Sequence, residues 1–574
     1  MMKQLLLFYM LSLWLYALPT AINEKIRQSG IAKKDLSIYI KEAGKHGKVV
    51  ASLNAHKTRT PASVIKVLTT YAAVLKLGFN YRWQTKFYTK GQIKNGVLYG
   101  DLIIKGYGDP TLNDKDLDKI VSYIKAEGVR KVQGNIVIDR SYFKVGNRDN
   151  SGFDEHTYSA YNAMPDAMMF NERVSTVCVE PKKNKVYKKN EDGSYKVVNK
   201  LIRVNKPCKG RYSWPGVKID KSDIMPTVIL KGKISKRCAK RNICKVLTKP
   251  YKSFYYALKA KMKQKGITVS GTMRLKKVPK NATELFTYYS DSLEKIISKT
   301  AKKSNNLYAR HLLLLLGAKT YGAPATLQKG RDAVVKILSS RGALDIGVLR
   351  LDNGSGLSRV AKMDAKLLAT MYDHAYDRYG QRWMNTLSIA GVDGTIKRRF
   401  RGTVVRNKAW MKTGTLRRVK NIGGYVKNRA GKVYTVVILV NSTKAKYRGA
   451  KLQNEIIKWL VNGAAKPSSQ SKLKAKSHSK PAVIKTSKSK TSPKQVSKPQ
   501  SSTHSYYYVQ LGSFKLKPNK TYLSKITKLG LPYKVKKTDI YKVLIGPYKK
   551  EATARKILPK VKQKLNKSAF ITRQ

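Results

Sequence analysis

Ser63 and Lys66 stand three residues apart in Ser63-Val64-Ile65-Lys66. On a helix that spacing puts both on one face. A serine hydroxyl is a weak nucleophile until a base takes its proton. A lysine one turn away can be that base when burial or a neighbouring cation keeps it neutral. Pro61 suits the start of a helix here and Gly78 its stop. The serine then sits in the first turn, where free backbone N–H groups and the helix dipole favour a developing oxyanion. Alone, Ser-x-x-Lys is a common pattern in a lysine-rich chain, and a solvated helix face explains it as well.

Two further groups change that balance. Ser304-Asn305-Asn306 precedes an apolar run from Leu307. From a loop, Ser304 can relay a proton and Asn306 can hold a substrate carbonyl, although Ser and Asn also serve as ordinary helix caps. Lys412-Thr413-Gly414-Thr415 lies on a strand-like run. Lys412 and Thr413 can bind a carboxylate, and Gly414 keeps the strand open to a substrate backbone. The N–H of Thr415 can join that of Ser63 as an oxyanion hole. The plain alternative is a lysine-bearing turn. In this order and these contexts the three groups resemble the motif set of penicillin-binding proteins and serine β-lactamases. The rival hydrolase patterns are missing: there is no Gly-x-Ser-x-Gly elbow, no His-Glu-x-x-His, and no cluster among the seven histidines. No metal or cofactor is implied.

These groups need scaffolding. Residues 37–40 and 49–53 read as strands, and the Ser63 helix follows them. Residues 81–285 change to short strands, glycine turns and basic loops. Helices resume at 293–317, 326–341 and 364–379. Strand-like runs at 404–412, 422–426 and 434–441 precede a last helix at 450–460. Residues 465–505 are rich in Lys, Ser, Pro and Gln and poor in apolar residues, which is the composition of a flexible linker. Residues 506–574 are patterned again, in two weakly similar halves that suggest a small sheet with two helices.

The 574 residues carry 118 Lys and Arg against 33 Asp and Glu. Such a surface attracts anionic polymers or membranes. The basic residues run through the whole chain rather than forming one stripe, so a chain-wide lysine bias explains them equally. Lys3, the apolar run 5–18 and Pro19-Thr20-Ala21 describe a secretory signal over residues 1–21. The run is short for a spanning helix, and no stable transmembrane anchor is expected. Cys178, Cys208, Cys238 and Cys244 in an exported chain suggest two disulfides with three possible connectivities. The proximity of Cys238 to Cys244 favours joining those two and Cys178 to Cys208.

Beyond the three groups, the match extends to Gly100-Asp101-Leu102-Ile103-Ile104-Lys105-Gly106-Tyr107-Gly108-Asp109-Pro110-Thr111-Leu112 and to Tyr161-Asn162-Ala163-Met164-Pro165-Asp166-Ala167. It also covers Asp352-Asn353-Gly354-Ser355-Gly356-Leu357-Ser358-Arg359 and Gly391-Val392-Asp393-Gly394-Thr395. With these, residues 30–462 resemble the low-molecular-mass class C penicillin-binding proteins, the D-alanyl-D-alanine carboxypeptidase/endopeptidases. The resemblance implies a multidomain α/β fold. Residues 22–84 and 286–462 would form a transpeptidase-like α/β domain, and 85–285 its β-rich insertions. It implies Ser63 as acyl-enzyme nucleophile, Lys66 as its base, Ser304 and Asn306 as the second motif, and Lys412 as the carboxylate site. Asn305 stands where the pattern has Asp. Expected partners are peptidoglycan stem peptides, with β-lactams as covalent inhibitors.

Tyr508-Val509-Gln510-Leu511-Gly512-Ser513-Phe514 and Val543-Leu544-Ile545-Gly546-Pro547-Tyr548 resemble a sporulation-related repeat (SPOR) domain, a small α+β fold over 506–574. The resemblance implies binding of glycan strands that lack stem peptides. Tyr506, Tyr508 and Gln510 alternate along one expected strand and would share a face suited to sugars. An RNA-binding sheet is the rival, but export makes nucleic acid an unexpected ligand. The whole reads as a periplasmic serine D-Ala-D-Ala peptidase. A β-lactamase and a wall-binding scaffold with a vestigial site are the alternatives.

Overall fold

The strand-like runs from the two ends of the region 30–462 meet in one sheet. A computed structural model describes residues 18–463 and 506–573, except positions 147, 149, 345, 346, 515–517, 519, 528, 538–540, 549, 550, 567 and 568. Most of the leader and the whole of 465–505 therefore lie outside the described residues. Among those described, no helix is long and apolar enough to cross a membrane.

The sheet has six antiparallel strands in the order Ser388–Ile389, Ala409–Leu416, Val419–Lys427, Val433–Asn441, Leu36–Glu42 and Val49–Leu53. Strand side chains alternate between faces. Val437 and Leu439 enter a core with the helices Lys66–Leu77, Leu293–Lys303, Asn306–Tyr321, Leu327–Ser339 and Ala365–Met384. Val436, Ile438 and Val440 enter a second core with the helices Thr20–Ser29 and Ala450–Val461. Both faces are thus covered, which is why Val433–Asn441 is an almost unbroken apolar run. Each large aliphatic side chain buried here contributes about 1.5–3 kcal/mol. The strand expected at 404–412 begins only at Ala409 and runs on to Leu416. Turns closed by Thr403 N to Phe400 O and by Arg406 N to Thr403 O occupy the preceding residues.

Between the first and second motifs the chain builds a seven-stranded sheet. It opens with Arg82–Lys94 and closes with Thr283–Ser292, which pair antiparallel. The helices Asp114–Ala126 and Pro250–Gln264 pack on it around Leu117, Ile120, Phe254 and Leu258. From this sheet projects a pair of three-stranded sheets whose strands lie between Ser175 and Lys245. They enclose a small core of Val177, Val179, Val228, Leu230 and Ile234.

The C-terminal unit is a four-stranded sheet ordered Tyr533–Lys537, Tyr541–Tyr548, Tyr507–Phe514 and Phe570–Arg573. The helices Lys520–Thr527 and Glu551–Lys564 contribute Ile526, Ala554 and Val561 to a core with Val509, Leu511, Val543 and Ile545.

The cysteines correct the expected pairing. Cys208 bonds Cys238, with Cα atoms 5.2 Å apart, inside the range that a disulfide needs. Cys178 and Cys244 are free. Cys244 lies on the extended strand Arg241–Lys245, opposite Thr176, while Cys178 lies opposite Asn242. Extension at roughly 3.3 Å per residue carries Cys244 away from Cys238, and Cys238 turns back beside the carbonyl of Tyr212.

Non-reducing peptide mapping should therefore link Cys208 to Cys238 alone. In the native protein, alkylation should reach Cys244 but spare buried Cys178. A Cys238–Cys244 or Cys178–Cys208 peptide would refute this pairing. Replacing the Cys208–Cys238 pair should cost about 2–4 kcal/mol of stability.

Candidate active site

Ser63 lies on a 3₁₀ turn, Ala62–Ile65, that runs into the helix Lys66–Leu77. Ala62 before it has φ of 49°, a left-handed conformation that costs a residue with a Cβ about 1–3 kcal/mol. Neighbours hold it there. Asn421, buried in the adjacent sheet strand, donates from Nδ2 to the carbonyls of Thr60 and Pro61, both at 2.9 Å. Its Oδ1 accepts from Val440 N at 2.9 Å and from Asn441 Nδ2 at 3.3 Å. Asn441 Oδ1 accepts in turn from Thr60 N at 2.8 Å. Gly356 packs so closely that a Cβ on it would meet the carbonyl oxygen of Ala62 at 2.0 Å.

Lys66 is the first residue of the α-helix and is fully buried. Its Nζ is 2.8 Å from Ser63 Oγ and 2.7 Å from Asn306 Oδ1, and it also bonds the carbonyl of Ser355. Burial first, then the cations Lys412 and Arg310, hold its pKa well below the ordinary lysine range. A neutral amine has two hydrogens and one lone pair. The two carbonyl oxygens accept the hydrogens, which leaves the lone pair for the proton of Ser63.

The second group divides its work. Ser304 ends the helix Leu293–Lys303 in a left-handed conformation, φ 54°. Asn305 caps the helix Asn306–Tyr321, its Oδ1 accepting from Tyr308 N at 3.2 Å. Ser304 Oγ and Asn306 Oδ1 are left to face the two lysines. Asn306 also donates from Nδ2 to the carbonyl of Tyr161 at 3.1 Å, and Arg310, one turn on, donates to that of Ala163 at 2.6 Å. The helix is thus docked on the inserted region.

Lys412 is fully buried. It donates to Ser304 Oγ at 3.0 Å and to the carbonyl of Thr413 at 2.8 Å, and burial brings its pKa down to about 7. Thr413 Oγ1 donates to Thr395 Oγ1 at 2.8 Å. A Cβ on Gly414 would lie 2.8 Å from the Pro61 carbonyl oxygen and 3.0 Å from the N atoms of Ser63 and Val64. The bare glycine therefore lets the strand reach the Ser63 turn. Ser388–Ile389 covers the outer edge of this strand only opposite Met411 and Trp410. Past them, no strand among the described residues pairs with the edge of Lys412 through Thr415.

Hydrogen bonds thus join Ser63, Lys66 and Asn306 in one set and Ser304 and Lys412 in a second, with Gly414 packed against the Ser63 turn and Thr415 next to it. Sequence reasoning gave no site role to Asn421, to Thr395 or to the carbonyls of Ser355 and Tyr161. A lone asparagine beside an apolar strand run was a usable signal for Asn421. A backbone carbonyl has no side-chain signature. In the C-terminal unit Val509 and Leu511 face the helices, so Tyr508 and Gln510 lie on the opposite sheet face, and Tyr506 is half-buried. The ring of Tyr508 is not bare: Lys534 lies 4.1 Å from its centroid and donates to its hydroxyl at 2.6 Å. Tyr508 and Gln510 are 4% and 7% exposed.

Comparison with known proteins places this geometry. The chain is 27% identical over 411 residues to the D-alanyl-D-alanine carboxypeptidase DacB of Haemophilus influenzae, covering 68% of this chain and 82% of that one. It is 28% identical over 403 residues to the D-alanyl-D-alanine carboxypeptidase of Actinomadura sp. strain R39, covering 67% and 74%. The crystal structure of penicillin binding protein 4 from H. influenzae shares the fold, with a TM-score of 0.66, 23% identity, and coverage of 77% of this chain and 99% of that one. Residues 503–573 match the SPOR domain. Residues 18–462 match the model of the D-Ala-D-Ala carboxypeptidase 3 (S13) family, and the chain belongs to that family.

Proposed function

We propose that Ser63 is the acylated nucleophile of a serine D-Ala-D-Ala carboxypeptidase/endopeptidase that trims peptidoglycan stem peptides. The contact of Lys66 Nζ, which is fully buried, with Ser63 Oγ at 2.8 Å carries this reading. Neutral Lys66 takes the hydroxyl proton as Oγ bonds the carbonyl carbon of the penultimate D-alanine. The N–H groups of Ser63 and Thr415 receive the oxyanion. As the C–N bond breaks, the proton passes to the leaving nitrogen through Lys66, with Ser304 beside the path, and D-alanine departs. Lys412, with Thr413, holds the terminal carboxylate, and Asn306 fixes Lys66 and the substrate amide. Water, deprotonated by Lys66, then hydrolyses the ester. With a cross-linked peptide the leaving amine belongs to a second stem, which is the endopeptidase reaction. A β-lactam acylates Ser63 in the same way, but its leaving nitrogen stays tethered.

Family and SPOR domain together point outside the cytoplasm, and we assign the protein to the periplasm. Residues 506–573 would bind glycan strands; of the three residues expected to contact them, Tyr506 is half-buried, whereas Tyr508 and Gln510, 4% and 7% exposed, leave little surface for a sugar.

Labelled penicillin followed by peptide mass mapping should mark Ser63, and Ser63→Ala should abolish the label in a folded protein. A label on another serine would overturn the assignment.

The lysines have opposite requirements. Lys412 loses its proton as pH rises through about 7, so kcat/KM for D-alanine release should fall on that alkaline side. Lys412→Arg keeps its charge and should remove this limb while keeping part of the activity. Lys66→Arg keeps a charge that the base must lack, and should lose turnover by at least about a hundredfold. Near-wild-type turnover by Lys66→Arg would refute the base role.

The fragment 506–574 should bind peptidoglycan better after an amidase removes the stem peptides, and binding should survive moderate salt. Equal binding to both substrates that vanishes with salt would reduce it to charge attraction.

A further inference from the structure

Asn305 replaces the aspartate of the pattern that it resembles, and the group that answers it comes from the inserted region. While its Oδ1 caps the helix, its Nδ2 donates to Glu172 Oε2 at 2.8 Å. Glu172 Oε1 accepts from Tyr308 Oη at 2.8 Å and lies 3.1 Å from Lys299 Nζ. Lys299 in turn donates to Tyr308 Oη at 2.7 Å. The carboxylate therefore grips the first turn of the Asn306 helix at Asn305 and at Tyr308.

Glu172 is itself held in an uncommon way. Asn171, Glu172 and Arg173 have φ of 49°, 51° and 59°. Three consecutive non-glycine residues in the left-handed region persist only where their surroundings over-determine them. Arg173 is buried and donates to the carbonyl of Met164 at 3.2 Å, in the same segment that Asn306 and Arg310 bind through the carbonyls of Tyr161 and Ala163. The turn presents one carboxylate from a fixed position.

We propose that Glu172 is a positioning residue for the active site, which orients the Asn305 amide and so sets Ser304 on one side and Asn306 on the other. The inference rests on the assignment of Ser304 and Asn306 made above. Ser304 receives Lys412 and Asn306 receives Lys66, so a shift at Asn305 reaches both lysines. It also accounts for asparagine at this position. An aspartate there would set its carboxylate against Glu172 Oε2 with no donor between them; Lys299 meets the other oxygen, Oε1, and the repulsion at Oε2 favours uptake of a proton by one of the pair. An aspartate at 305 needs a donor at 172.

A charge-swap cycle tests this with Asn305→Asp, Glu172→Gln and the double variant. The rate of Ser63 acylation by labelled penicillin is measured from pH 5 to 8, beside the melting temperature. N305D should acylate about tenfold more slowly at neutral pH. Its rate should recover as pH falls, because a proton shared by the carboxylates restores a donor. In the double variant the amide introduced at position 172 donates to the carboxylate introduced at position 305, and its carbonyl accepts from Tyr308. Most of the rate should return at neutral pH, without the acid recovery. N305D at the wild-type rate, or a double variant no faster than N305D, would overturn the proposal. If N305D does not fold, the double variant still decides, since it must both fold and acylate. Wild-type protein that takes up no label would instead overturn the assignment of Ser63, and this inference with it.

Discussion

A lysine amine kept out of water, with a serine hydroxyl on one side and two carbonyl oxygens on the other, is the constraint around which this protein is built. Burying an ammonium without a counter-ion costs far more than burying an amine. Among the described residues no carboxylate bonds Lys66; its partners are Ser63, Asn306 and the Ser355 carbonyl, and nearby cations push its pKa down further. Burial and those cations therefore favour the neutral form, in which an amine is able to accept a proton from a neighbouring hydroxyl.

Three separate stretches of chain must converge to make that environment. The six-stranded sheet brings residues 409–416 against the Ser63 turn, and the helices on the same face bring Asn306 and the Gly354–Gly356 loop. Strain concentrates at the junction. Ala62 and Ser304 both adopt left-handed backbone, and each is held by an asparagine that bonds through both ends of its amide. Asn421 does so beside Ala62, and Asn305 does so beside Ser304. An asparagine suits this work because it donates and accepts without adding charge to a site that already holds two lysines and an arginine.

The inserted region is more than an appendage between the first two motifs. It contacts the Asn306 helix through the carbonyls of Tyr161 and Ala163 and the carboxylate of Glu172. Stacking and hydrogen bonding by Arg359 on Phe153 tie it also to the loop after Gly356. The six-stranded sheet and its helices supply the floor of the site, and the segment 161–172 lies against the Asn306 helix. The C-terminal unit has its own core and its own sheet face, with Lys534 drawn over Tyr508.

The sequence by itself determined which side chains stand together within each motif. Ser63 with Lys66, Ser304 with Asn306, and Lys412 with Gly414 were legible because each depends on neighbours within a helical turn or along a strand. The apolar run ending at Asn441 and the glycine stop at Gly78 were legible for the same reason. Tertiary structure alone decided what lies between those groups. Cys208 pairs with Cys238 because strand extension carries Cys244 away, although Cys244 is nearer in sequence. Asn421 holds the turn before Ser63 from 360 residues along the chain, and Glu172 meets Asn305 across 133. Local spacing fixes which groups a helix or strand presents together. Which distant backbone or carboxylate completes their hydrogen bonds depends on packing between elements, and no local pattern encodes that.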